Sequence, residues 1–271
     1  MIGTKRISII VPSYNDPRIV RSVRSVRQFD DMGCVRIIVI DGASNRAVRD
    51  LITPLLTPDD LFMSEPDRGI FDALNKGLDR CKTEFIGWLG SDDVFTGKVT
   101  ASRVIGSLGE HDLFVAATGI FRGVRVRRVI HGAPSRFGLV KFGLHNPHFS
   151  TFGRASLLTS DRFELGIPGA DIAYFVRLFA KRPRVASTED IATLMEEGGF
   201  STESYGKIVT TNLSLLSVYA KHTNIVVAPL ALLLKLGYKF CSLLYYKMFR
   251  LDCAAIVLGE GANGSQGGMW R

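Results

Sequence analysis

The sequence predicts an α/β fold in which a mostly parallel sheet is flanked by helices, with a helical extension toward the C-terminal end. Three observations carry this expectation. Short apolar runs of strand length recur in the first ninety residues, at 7–11, 35–40, 61–63 and 85–89. Helical spacing of apolar residues appears between them. The runs are nearly continuous rather than alternating, which is the pattern of strands buried on both faces of a sheet.

In chain order, "ISIIV" at 7–11 gives the first strand, and Pro12 marks its end. A weak helical pattern at 19–29 leads to "VRIIVI". The clearest helix is "GIFDALNKGLDRC": Ile70, Ala73, Leu74, Gly77, Leu78 and Cys81 fall at i, i+3, i+4, i+7, i+8 and i+11. Beyond about residue 100 the pattern loosens. "FRGVRVRRVI" at 121–130 alternates apolar and basic residues and reads as one half-exposed strand, with Arg122, Arg125, Arg127 and Arg128 toward solvent. Charge there would protect an edge from pairing, with a phosphate-facing role as the alternative. "DIAYFVRLFAKR" at 171–182 reads as a helix with Ile172, Val176 and Phe179 on one face and Asp171 near its positive end.

Composition narrows the function classes. The 271 residues suit one large domain or a domain with an appendage, and 46% hydrophobic content excludes wholesale disorder. With 34 Lys and Arg against 26 Asp and Glu, the net charge of +8 points to an anionic partner: a nucleotide, a phospholipid surface or nucleic acid. The four cysteines are scattered, without the spacing of a zinc site or a disulfide framework, and fit a reducing compartment. The first apolar run is interrupted by Ser8 and stopped by Pro12, unlike a secretory signal, so a cytosolic start is expected.

In open α/β sheets ligands bind outside the carboxyl ends of the strands. The segments that follow the four runs are "PSYND" at 12–16, "DGAS" at 41–44, "EPDRG" at 65–69 and "GSDD" at 90–93. All are polar. Adjacent carboxylates at 92 and 93 repel when both are ionised, so either water solvates them or a cation sits there. Mg²⁺ or Mn²⁺ typically takes one or two carboxylates together with substrate phosphates, which describes a nucleotide site. Asp41 is a candidate acceptor for a nucleobase or ribose, Tyr14 for stacking on the base, and Arg68 for pairing with a diphosphate. No P-loop is present, and the G-x-G-x-x-G spacing at 259–264 lies in the Gly-rich C-terminal stretch, away from these strands.

Seven segments, "SIIVPSYND" at 8–16, "VRIIVIDGAS" at 35–44, "SEPDRGIFDALNKGL" at 64–78, "FIGWLGSDD" at 85–93, "HNPHFSTFGRASL" at 145–157, "GADIAYFVRL" at 169–178 and "EEGGFST" at 196–202, occur in this order over roughly residues 5–205. Together they resemble the inverting GT-A glycosyltransferases of family 2, particularly bacterial members that build polysaccharides. The resemblance implies a GT-A, Rossmann-like fold and a nucleotide-sugar donor, UDP-linked or otherwise. It implies that Pro12, Tyr14 and Asp41 line the base and ribose pocket, and that Asp67 and Arg68 lie near the ribose and diphosphate. The "GSDD" segment, with Ser91 on the donor side, is similar to the family's metal-binding motif, although Gly90 stands where many members carry the first acid. Asp92 and Asp93 are therefore both candidate ligands for Mn²⁺ or Mg²⁺.

The resemblance further implies that Asp171 deprotonates the acceptor hydroxyl, a helix cap being the alternative role. His145 and His148 would border the site, with His148 touching donor phosphates or acceptor. Glu196, Glu197 and the Gly198-Gly199 pair would form a flexible loop over it.

From residue 225 the chain turns strongly apolar. Its longest uninterrupted apolar stretch, 225–234, contains Pro229 and is too short to span a bilayer. Lys235, Lys239, Lys247 and Arg250 fall within about a third of a helical wheel, the pattern of a helix lying in a membrane interface; packing on the catalytic domain or a second subunit is the alternative. The Gly-rich 259–271 reads as a disordered tail. The expected plan is thus a GT-A domain at 1–205, a helical extension at 206–258 that holds the membrane or another copy, and the tail. The expected activity is metal-dependent, inverting transfer of a sugar to a glycan acceptor carried on a lipid diphosphate, at the cytoplasmic membrane face, in bacterial surface polysaccharide synthesis. A sugar nucleotidyltransferase is the alternative enzyme. A nucleic-acid-binding protein is favoured by charge alone, and no nucleic-acid partner is expected.

Overall fold

A computed structural model of the chain describes residues 5–122, 125–131, 148–167 and 169–196, with single positions at 216, 233 and 237 beyond them. The four apolar runs become β1 (Ile7–Ser13), β2 (Val35–Asp41), β3 (Leu61–Ser64) and β4 (Phe85–Trp88), side by side in the order β3-β2-β1-β4 and all parallel. Every residue of β1 is buried. The period-2 geometry of the strands divides their side chains between two cores. Ile7, Ile9, Val11, Ile37 and Val39 join one cluster with Val23, Val26 and Phe29 of α1 (Ile19–Phe29). Ile10, Ile38 and Ile40 join the other with Ala73, Leu74 and Leu78 of α3 (Ile70–Arg80). A sheet with a helix on each face leaves its strand ends as the open place for a ligand.

Between β2 and β3 lies a short helix not anticipated from the sequence, α2 (Arg46–Ile52). Its seven residues are too few for a periodic signal, but its start is marked by Asn45, whose side chain accepts a hydrogen bond from the Val48 N–H at 3.1 Å.

The second half of the sheet is mixed. After β4 come β5 (Val94–Phe95), α4 (Ala101–Leu108), β6 (Leu113–Arg122), β7 (Arg125–Ile130), a 3₁₀ turn (His148–Ser150), β8 (Thr151–Arg154), α5 (Ala155–Leu158), α6 (Ala170–Ala180) and β9 (Val185–Glu196). The sheet continues β4-β8-β6-β9-β5, with β7 also paired to β6. β8 runs antiparallel to β4 and β6, while β9 runs parallel to β6.

The alternating stretch at 121–130 is two strands rather than one. Its first two residues end β6, and 125–130 form β7, which pairs back antiparallel with Arg122 opposite Arg125. The same apolar-basic alternation runs through 121–122 and 125–130, with Gly123 the lone breaker in sequence, so periodicity alone does not separate the two strands. The structure describes the backbone but not the side chains of Arg122, Arg125 and Arg127, so their expected exposure lies outside what it describes; Arg128 is half-buried. Helix α6 forms as anticipated with a wider buried face: Ala173, Tyr174, Phe175, Val176, Leu178 and Phe179 are buried, and Ile172 is half-buried. The extension at 206–258 and the tail at 259–271 lie outside the described residues, apart from the three single positions. Among the described residues no helix is long and apolar enough to cross a membrane.

Candidate active site

Strand register brings the predicted loops together. Ser13, Asp41 and Ser64 are direct neighbours across β1, β2 and β3, and the Leu89 N–H continues the β4 ladder onto Ile10 O at 3.0 Å. The segments after each strand therefore leave one edge of the sheet.

Asp41 ends β2 and is fully buried. Its carboxylate accepts hydrogen bonds from the Ser44 N–H at 2.9 Å, the Ser64 hydroxyl at 2.6 Å and the Ser44 hydroxyl. It thus lies beneath the loop rather than at its surface, because three nearby donors satisfy it. Ser44 Oγ also receives the Asn15 N–H at 2.7 Å, and Asn15 Oδ1 receives the Asn45 N–H at 2.8 Å. Asn15 (φ 49°) and Ala43 (φ 62°) occupy the left-handed region, a cost that non-glycine residues bear where the surroundings fix the loop. Pro12 is buried in the same corner, whereas Tyr14 leaves 66% of its surface exposed. The hydroxyl of Ser13 is buried with no hydrogen-bond partner.

Asp67 accepts the Gly69 N–H at 2.8 Å, and its carboxylate leans over Gly42, where an added Cβ would come within 2.7 Å of Oδ2. Arg68 reaches into solvent from a 3.2 Å ion pair with Asp72.

The two adjacent acids after β4 have different surroundings. Asp93 is 2% exposed, and burial, reinforced by the neighbouring Asp92 charge, pushes its carboxyl well above the usual range. The Asp92 side chain is 31% exposed. Asp93 also explains Gly90: a Cβ at that position would stand 2.5 Å from Asp93 Oδ2, so the first acid of the family motif has no room. The turn is fixed from below by the buried Ser22 hydroxyl of α1, which lies 2.6 Å from Gly90 O and 2.7 Å from Asp93 O.

A charged network around this turn escaped the sequence reading. Arg18 holds Asp16 through two bonds of 2.9 and 3.0 Å, donates to Glu196 at 3.0 Å and places Nη2 3.7 Å from Asp92 Oδ2. Arg21 donates from Nη2 to Asp92 O at 2.5 Å and to Glu196 at 2.6 Å. Ser91 donates to Asp16 at 3.0 Å. Burial raises the Asp16 carboxyl, but the Arg18 guanidinium and the Ser91 hydroxyl outweigh it and hold it below the usual range. The "DPR" triplet at 16–18 gave a local signal, while Glu196 is 178 residues from Arg18 in sequence.

Asp171 lies in the first turn of α6, behind a left-handed Gly169 that occupies the cap position, so it does not cap its helix. It faces His148, whose Nδ1 stands 3.4 Å from Asp171 Oδ2. Trp88, the last residue of β4, donates its indole N–H to the His148 carbonyl and packs edge-on against Phe175 and Tyr174 of α6. One aromatic side chain thereby joins the strand leading to Asp92 with the helix carrying Asp171. Residues His145, Glu197, Gly198 and Gly199 lie outside the described residues. Among the described residues no three His, Cys, Asp or Glu side chains cluster to hold a metal.

A parallel half-sheet continued by mixed strands, with its polar loops at the strand ends, is the architecture of GT-A glycosyltransferases. The fold matches S. aureus TarS in complex with UDP (TM-score 0.61, 15% identity, 87% of this chain and 72% of that one). It also matches the Pyrobaculum calidifontis mannosyltransferase PcManGT in complex with GDP-Man and Mn²⁺ (TM-score 0.59, 17% identity, 97% and 77%). The family model for glycosyl transferase family 2 matches residues 8–161, and the chain belongs to that family. An uncharacterized glycosyltransferase of Mycobacterium tuberculosis is 31% identical over 109 residues, 40% of this chain and 42% of the relative. A PGL/p-HBAD biosynthesis glycosyltransferase of Mycobacterium bovis is 27% identical over 108 residues, 39% and 42%. The match thus spans less than half the length of these curated relatives. Family membership favours glycosyl transfer over the nucleotidyltransferase and nucleic-acid-binding alternatives.

Proposed function

We propose that the protein moves a sugar, with inversion, from a nucleotide-sugar donor, UDP-linked in the first instance, to a hydroxyl of a glycan acceptor. The observation that carries this is the opposite orientation of the paired acids: Asp93 is buried while Asp92 keeps 31% of its side chain open. One exposed carboxylate fits a hard cation that completes its shell with donor phosphates, so Asp92 would hold Mn²⁺ or Mg²⁺ and Asp93 would support the turn. When bound, such a cation supplies neutralising charge to the departing diphosphate. Tyr14 would stack on the base, Pro12 would wall its pocket, and Asp41 would shape that pocket from beneath through Ser44 and Ser64. Asp67 and Arg68 would meet the ribose and diphosphate, with Ser91 beside Asp92 on the donor side.

Asp171 would accept the proton of the attacking hydroxyl, and His148 would share its side of the site. For a lipid-linked acceptor, residues 225–258 would lie on the cytoplasmic face of the membrane, their basic stripe toward anionic headgroups; pairing with a second copy is the other use of that surface. Sedimentation with anionic vesicles separates these two uses.

The test of the donor site is calorimetric titration of UDP, GDP, CDP and ADP with Mn²⁺ and again with EDTA. One diphosphate is expected to bind in a metal-dependent manner, and Asp92→Ala to abolish that dependence. Metal-independent binding that survives the substitution would overturn the assignment of Asp92.

A further inference from the structure

We propose that His148 is the positioning partner of Asp171 on the acceptor side rather than a donor contact. The inference rests on the assignment of Asp171 as base. A lone carboxylate at the start of a helix can turn about its last side-chain bond, and a base that turns spends little time aimed at the hydroxyl it must deprotonate. His148 removes that freedom. Its Nδ1 faces Asp171 Oδ2 at 3.4 Å, leaving Oδ1 for the acceptor. A contact of this length closes to a hydrogen bond when substrate tightens the site.

What sets His148 apart from a chance surface neighbour is the rigidity of its mounting. Its carbonyl accepts the Trp88 indole N–H. Two residues on, Ser150 is buried in a triangle of hydroxyls, 2.6 Å from Thr118 of β6 and 2.5 Å from Thr193 of β9, and donates to Ala117 O at 3.0 Å. The His148 ring lies 25° from the plane of Phe175, with centroids 6.4 Å apart. Buried polar groups held by several partners cost free energy to misplace, so the 3₁₀ turn has one position on the sheet. A fixed imidazole beside a carboxylate follows the general design in which the reacting group is aimed by a second, immobile one.

In the step this serves, the acceptor oxygen bonds to the anomeric carbon as that carbon's bond to the diphosphate oxygen breaks. The electron pair leaves with the nucleoside diphosphate, and the hydroxyl proton ends on Asp171. His148 Nδ1–H keeps its own proton throughout.

The first measurement needs no substrate: long-range ¹H–¹⁵N spectra of the histidine-labelled full chain. Wild type is expected to show His148 protonated at Nδ1, and Asp171→Asn to change that signal; an unchanged His148 signal would overturn the pairing. The second uses the nucleoside diphosphate that binds in the calorimetric screen, with Mn²⁺. His148→Ala is expected to retain its affinity within about twofold, whereas a loss of tenfold or more would return His148 to the donor side and overturn the proposal.

With the corresponding sugar nucleotide, nucleoside diphosphate release should show kcat reduced by about 10- to 100-fold in His148→Ala with the donor KM unchanged. His148→Asn, which keeps a side-chain N–H near the position of Nδ1, should recover part of that loss. Wild-type kcat in His148→Ala alongside an inactive Asp171→Asn defeats this inference alone, whereas wild-type kcat in Asp171→Asn defeats the assignment of the base.

Discussion

Arg18 Nη2 stands 3.7 Å from Asp92 Oδ2, so the chain itself supplies a positive charge to the partly exposed carboxylate of the pair. The guanidinium is held there by Asp16 and Glu196 and therefore partly masks the charge that would attract a divalent cation. Replacing Arg18 by Met is expected to tighten Mn²⁺ binding to the nucleotide-free protein. Because Arg18 is 46% exposed, the gain should be modest, up to about fivefold. Electron paramagnetic resonance of free Mn²⁺ measures it, and weaker Mn²⁺ binding by the variant would show that Arg18 supports the site rather than masking it.

Gly42 lies under the Asp67 carboxylate, 2.7 Å from where a Cβ would fall. The end of a half-exposed side chain can move, so Gly42→Ala should leave the melting temperature within a few degrees of wild type. The displaced Asp67 should nevertheless weaken nucleoside diphosphate binding by about tenfold, the cost of one charge-assisted hydrogen bond. Calorimetry beside a thermal melt separates the two effects; unchanged affinity would remove Asp67 from the donor pocket.

Gly77 is where α3 touches β1, and a Cβ there would fall 2.4 Å from Ile10 Cγ2, a methyl group anchored in the core. Helix propensity favours alanine by about 1 kcal/mol, but overpacking costs about 1–3 kcal/mol. Gly77→Ala is expected to lower stability by ~1 kcal/mol, read from urea denaturation. A stabilised variant would mean that α3 sits farther from the sheet.

Asp60 supplies the pH dependence. Its side chain is fully buried and accepts the Ile37 N–H at 2.8 Å, the Thr57 N–H at 2.7 Å and an Arg27 guanidinium bond. Burial raises its carboxyl, but Arg27 and these N–H groups outweigh it and hold the group below the ordinary value of 3.8. A folded-state value below the unfolded one means the stabilisation is complete above that ordinary value and is lost as pH falls through the lower, folded one. Asp60→Ala should therefore destabilise the protein by about 3 kcal/mol at pH 7 and by less near pH 2. Denaturant unfolding across that range checks both ends, and equal losses at the two pH values would contradict the assignment.

Much of the fold was legible because it rests on local pattern. The continuous runs at 7–11 and 35–40 are strands because both their faces are covered, and Ile70 to Cys81 mark a helix because one stripe meets the sheet. The second half was harder to read. Strand β9 is half-buried over most of its first six residues, and the 121–130 alternation continues through a chain reversal, so neither gives a period with a single meaning.

The residue types at the site were also visible, since polar loops at the carboxyl ends of parallel strands are a consequence of topology that the order of apolar runs already contains. What each residue faces was not. The sequence by itself determined that Asp92 and Asp93 end a buried strand and that His148 and Asp171 are candidates for chemistry. Only the tertiary structure decided that Asp93 turns into the core, that Arg18 and Arg21 meet Glu196, and that His148 faces Asp171. The physical reason is that burial and pairing depend on elements far apart in the chain: Ser22 fixes the turn that buries Asp93, and Trp88 and Ser150 fix the turn that carries His148.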